Sequence, residues 1–174
     1  GYESGNERVL QLMDKATHLD AIRANLRLSA KHGIWNHIMG FFGFPGETLA
    51  EAEDSKRFVH ENRESIHSLG FMTFVLGKYS PIALEPEKFG VSYFKNPEWD
   101  LALDYYFTLK NGLGIHEALE VFEEFAEDVI VFLGGLVVLV LDEDLEPMVV
   151  VIHQGIQKFE YFLGTEFYLD LFVS

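Results

Sequence analysis

An apolar run that ends in a glycine–proline turn and passes straight into a capped helix leaves a chain few ways to fold. Residues 34–42 are such a run, and Gly43-Phe44-Pro45-Gly46-Glu47 is the turn. Thr48-Leu49-Ala50-Glu51 follows, with the Ser/Thr-x-x-Glu spacing that caps a helix N-terminus. Strand, turn and capped helix form one βα unit. In α/β folds the carboxyl end of such a strand is where ligands bind, because a bare glycine backbone can approach them there.

The rest of the chain extends that unit. Asn6 caps a first helix carrying Val9, Leu10 and Met13 at helical spacing, and a second helix covers 19–31 with Gly33 just past its end. The helix after Thr48 runs toward Ile66 with a break near Asn62, and a strand covers 71–76. The resulting order, (β)α–α–β–α–β, predicts parallel crossovers and an α/β fold. Strict alternation over 99–110 predicts a half-buried strand, and 116–127 a helix with Ala118, Leu119, Phe122 and Phe125 inward. Short strands are expected between residues 129 and 173, with Gly134-Gly135 as a turn.

Composition narrows the function. The 174 residues carry a net charge of −15, which opposes nucleic acid and anionic membrane surfaces as partners. With no cysteine, the chain offers no thiolate to a zinc ion, an iron–sulfur cluster or covalent catalysis. The apolar run 129–141 is shorter than the about 20 residues a bilayer span needs, and no basic-then-apolar leader is visible, so a cytoplasmic location is expected. The histidine pairs His32/His37 and His60/His67 lack metal-helix spacing, and no phosphate loop, nucleophile elbow or Gly-x-Gly-x-x-Gly is present.

Beside the histidines, four groups could carry chemistry. The Gly43-to-Glu47 turn could face a ligand, or could be a tight turn whose Glu47 favours the helix dipole. Glu3 and Ser4 put a carboxylate and a hydroxyl at another strand end, suited to a pair of ribose hydroxyls; a surface turn is the alternative. Arg8 and Lys15 could meet a ligand carboxylate or be ordinary surface charges. Ser80-Pro81 could place a polar group beside a bound base or simply close a turn.

Three segments together resemble the radical S-adenosylmethionine (SAM) superfamily. Gly1-Tyr2-Glu3-Ser4-Gly5-Asn6 through Lys15 resembles its fourth-strand segment, and Gly33-Ile34 through Gly43-Phe44-Pro45-Gly46-Glu47-Thr48 its fifth. Phe71 to Leu76 with Ser80-Pro81, then Pro86 to Val91, is similar to the sixth strand in members that often carry a cobalamin-binding domain. The resemblance implies the C-terminal half of a partial (β/α)6 TIM-like barrel over residues 1–92, with a mixed α/β extension over 93–174. It implies that Glu3 and Ser4 contact the SAM ribose and that Phe42, Gly43, Phe44, Pro45, Gly46 and Glu47 line the adenine. Leu76 to Ser80 would lie beside the same base, with Arg8 as a looser partner for the methionine carboxylate.

In that family a [4Fe–4S] cluster, held by Cys-x-x-x-Cys-x-x-Cys after the first strand, cleaves SAM to a 5′-deoxyadenosyl radical. Such cysteines are absent here, so the cluster and the N-terminal half of the barrel would belong to a longer protein, cobalamin with them. The substrate is not indicated. The alternatives are a non-catalytic half-barrel that binds or associates without a cluster, and an unrelated α/β domain. Half a barrel would leave edges open at Gly1 and Phe71, where the Val- and Leu-rich tail could pair or the chain could self-associate.

Overall fold

Strand β1 (His37–Phe42) and strand β2 (Ser68–Thr73) pair in parallel, His37 opposite Ser68 and Phe42 opposite Thr73. They anchor the computed structural model, which describes residues 2–93, 103–133, 136–142 and 145–152. A third parallel segment precedes them. Glu3 bridges Gly40, its N–H donating to the Met39 carbonyl at 2.8 Å while its own carbonyl accepts from the Phe41 N–H at 3.2 Å.

Helices make the crossovers. Helix α1 (Glu7–Leu12) begins where the Asn6 side chain accepts from the N–H groups of Arg8 and Val9 at 2.9 and 3.2 Å. Helix α2 (Leu19–Lys31) keeps its expected span, and Gly33 beyond it takes φ +72°. Helix α3 (Leu49–Glu61) starts at Thr48, whose N–H and hydroxyl both donate to the Glu51 carboxylate. It ends at the break expected near Asn62, whose side-chain amide turns back and donates to the Phe58 carbonyl at 2.8 Å.

Both strands are displaced from their expected bounds. Strand β1 starts three residues late because Asn36 is tied elsewhere, donating to the carbonyls of Leu26 and Ser65 at 2.8 Å each. Its N–H goes to His67 Nδ1 at 2.9 Å. Strand β2 starts at Ser68 rather than 71, because that is the residue facing the first residue of β1. Leu76, expected to continue it, belongs to the short strand β3 (Leu76–Gly77).

Short elements follow: helix α4 (Pro81–Leu84), strand β4 (Val91–Tyr93), strand β5 (Asp104–Tyr105) and strand β6 (Phe107–Leu109). β3 pairs with β5 and β4 with β6, both antiparallel. The strand expected over 99–110 is thus two strands within its described part; residues 99–102 lie outside the described residues. Helix α5 (Ile115–Leu133) outruns its expected 116–127, and the apolar run from residue 129 is divided between this helix and strand β7 (Leu136–Asp142). Strand β8 (Leu145–Ile152) returns from β7 and lies antiparallel on β2, Val149 opposite Phe71. The open edge expected at Phe71 is covered in this way; the turn expected at 134–135 lies outside the described residues. The fold is mixed α/β. Its largest sheet has the order β1-β2-β8-β7, and no sheet closes among the described residues.

Two apolar cores result. The larger packs one sheet face against α2, α3 and α5 through Tyr2, Phe42, Phe58, Phe71, Phe122 and Phe125. Its rings are close, Phe71 to Phe125 at 4.7 Å and Tyr2 to Phe58 at 4.9 Å between centroids. The smaller joins Val9 of α1 to Phe44, Leu76, Ile82, Val91 and Phe107 at the carboxyl ends of the strands. On the opposite face of β1, His37 and Met39 are exposed, Met39 by 54 %. On the same face of β2, Ser68 and Gly70 are buried and Met72 half-buried, so the exposure is confined to β1.

Candidate functional site

The turn after β1 is shaped by two left-handed glycines, Gly43 at φ +84° and Gly46 at φ +88°. Directly after them Glu47 folds inward. Its Oε2 accepts from the Gly43 N–H at 2.6 Å, and its backbone N–H donates to the Phe44 carbonyl at 2.8 Å. The side chain is fully buried, and Oε1 has no hydrogen-bond partner. Burial pushes the carboxyl up to about 7, against the pull of the Gly43 and Phe44 amides; Glu51 pushes the same way and Arg8 opposes it.

The turn is roofed by chain from far downstream. The Leu113 N–H donates to the Glu47 carbonyl at 2.8 Å, and a Cβ built on Gly43 would lie 2.7 Å from that of Ala118. Pro45 is buried and Gly46 half-buried. The Gly43 backbone is therefore occupied by α5, not open to a ligand. Phe42 and Phe44 also point inward, Phe42 into the larger core and Phe44 into the smaller.

Arg8 reaches across from α1 to this turn. It donates to Glu51 through Nε at 2.5 Å and through a terminal nitrogen at 2.7 Å, and that nitrogen also meets the Gly46 carbonyl at 2.6 Å. The forked contact holds the Glu51 carboxyl down to about 2 and raises the guanidinium further. Arg8 is a strap between α1 and α3. It is not free for a methionine carboxylate.

Glu3 differs from its neighbours. It holds φ +64°, a left-handed backbone that costs a side-chain-bearing residue about 1–2 kcal/mol. Its carboxylate is partly exposed and pairs with Lys15 at 3.1 Å. Ser4 turns the other way, fully buried, with its hydroxyl 3.3 Å from that of Ser55. Ser55 also accepts from the Gly5 N–H at 2.8 Å, and its carbonyl takes the Tyr2 hydroxyl at 2.9 Å. Burial raises the Tyr2 phenol far above its usual value.

At the third strand end, Leu76 is fully buried in the smaller core, and the Ser80 hydroxyl accepts from the Ala83 N–H at 3.1 Å. Ser80 is a helix cap. Of the residues picked from sequence, the structure gathers Arg8 and Gly43 to Glu47 around one turn and leaves Glu3 with Lys15 at the rim. Ser4, Leu76 and Ser80 serve packing or capping. Sequence reasoning passed over Ser55 and Leu113. Ser55 lies at helical spacing from Ala52 and Val59, a polar residue on an apolar face; nothing local marks Leu113.

Among the described residues no group of three or more His, Asp or Glu could hold a metal ion, and no helix is long and apolar enough to cross a membrane. An iron–sulfur cluster does not fit this chain, which has no thiolate to bind it. Comparison with family models, curated proteins and solved structures gives no match.

Proposed function

We propose that this chain is the adenosine side of a SAM site in a radical SAM enzyme whose cluster-binding half lies outside the sequence. The observation that carries the reading is Glu3. It ends the first of three adjacent parallel segments in a strained backbone, with its carboxylate at the rim and Lys15 beside it. A carboxylate there suits the paired hydroxyls of a ribose, and Lys15 replaces Arg8 as the cation for a ligand carboxylate. The exposed His37 and Met39 side chains of β1 support the same reading, since a closing half-barrel would cover them. The turn from Gly43 to Glu47, Arg8, Ser4 and Ser80 then position the wall without touching the ligand. Radical generation belongs to the absent half, as does any cobalamin.

One observation favours the non-catalytic half-barrel instead: Ser4, Arg8 and Ser80 are all satisfied within the chain. The gene decides between the two. The enzyme reading expects a Cys-x-x-x-Cys-x-x-Cys in frame upstream of Gly1; a start codon close upstream with no such motif would overturn it.

A further inference from the structure

Glu47 is the one acidic side chain among the described residues that is fully buried, and it sits at a junction of four elements. Its carboxyl closes the turn after β1 through Gly43, its chain opens α3, and its carbonyl holds Leu113 ahead of α5. A Cβ on Gly112 would lie 2.8 Å from that same carbonyl. The contact is too close for side chains and depends on the turn keeping its shape.

The surroundings decide which protonation state fits. From α1 comes Arg8, engaged by Glu51, and from α3 Glu51 itself, an acid that opposes a second negative charge. The first segment brings the Tyr2 phenol, bound to the Ser55 carbonyl. The first turn of α5 carries His116 and Glu117, both exposed, with Glu117 accepting from the Gly114 N–H at 2.7 Å. Among the described residues the nearest cation, Arg8, is spent on Glu51, and Glu47 Oε1 has no hydrogen-bond partner. Protonation removes the buried charge and leaves one O–H to place, whereas a carboxylate would be a fully buried charge held by the Gly43 amide.

We propose that Glu47 is a proton-operated latch: protonated, it keeps the 43–47 turn closed under residues 112–114, and on ionising it releases that segment from the turn. The segment released lies on the Gly46 and Glu47 backbone and leads into α5, whose Ala118 packs over Gly43, so the latch sets how often the Gly46–Glu47 backbone is uncovered. The proposal rests on the turn and its roof alone and does not depend on what the chain binds.

The sign follows from linkage. The folded carboxyl titrates at about 7 and the released one at its ordinary 4.5, so the closed form is fully favoured below 4.5 and loses its advantage as pH rises to about 7. Opening should therefore grow about tenfold per pH unit across that window and level off above it. Amide exchange of Leu113 and Gly43, corrected for intrinsic chemistry, reads this directly. The wild-type chain should show that slope, and Glu47→Gln, neutral at every pH, should show none. A slope retained in Glu47→Gln, or absent from the wild type, would overturn the latch. Should the variant fail to fold, the Glu47 side-chain carboxyl carbon can be titrated by NMR in the wild type. A midpoint near 7 supports the proposal and one near 4.5 overturns it.

Discussion

Gly43 and Gly33 share a left-handed backbone but not a neighbourhood. A Cβ on Gly33 meets nothing within 4 Å, whereas one on Gly43 would collide with Ala118. Gly33→Ala should therefore cost about 1–2 kcal/mol from backbone strain alone, and Gly43→Ala about 2–4 kcal/mol, since overpacking adds to the strain. Urea melts of the two variants check this, and equal losses would mean the roof over the turn yields. Arg8 and Glu51 allow a second comparison. The Glu51 carboxyl is held low, so its contribution is present above its ordinary 4.5 and lost as pH falls toward about 2. Arg8→Ala should flatten that acid loss, with a coupling of about 1 kcal/mol once the exposure of Arg8 is allowed for. At this scale the sequence announces its turn glycines and its caps, because those are local requirements. The inward direction of Glu47 is not legible, since the residues that bury it lie some 65 positions downstream, about the distance from Glu47 to Gly112 and Ala118.

The first segment, residues 2–5, meets helix α3 through a serine. Ser55→Ala removes the acceptor of the Gly5 N–H and the partner of the Ser4 hydroxyl, both buried. The loss should be about 1–3 kcal/mol, with faster amide exchange at Gly5 and Asn6; a thermal melt unchanged from wild type would show that water replaces the hydroxyl. Strand β8 offers a second test, because it lies between β2 and β7. Val150→Pro removes a ladder donor from an interior strand and should cost about 3 kcal/mol or more, with exchange rising along β2. Helices α2 and α3 were readable because apolar spacing and caps coincide in them. The register of β2 was not, because residues 69–76 are nearly all apolar and only pairing with β1 decides where a strand begins and ends. The division of the apolar run from 129 between α5 and β7 escaped for the same reason: a continuous apolar stretch suits either structure.

Across the whole molecule, the α/β order and the parallel pairing of β1 with β2 follow from the βα unit read first in the chain. The candidate site was legible only in part. Sequence places Glu3 at a strand end, but its left-handed backbone and its pairing with Lys15 depend on the bridge to Gly40. The sequence also gave no reason to separate Glu3 from Ser4, which the structure sends in opposite directions. The central claim is that the rim at Glu3 and Lys15 receives an adenosyl ligand. Mapping amide shifts in this chain during titration with S-adenosylhomocysteine tests it most directly. Saturable shifts at Glu3, Lys15, Met39 and Phe41, abolished by Glu3→Ala, are the predicted result. Shifts centred elsewhere, or none at millimolar ligand, would contradict it.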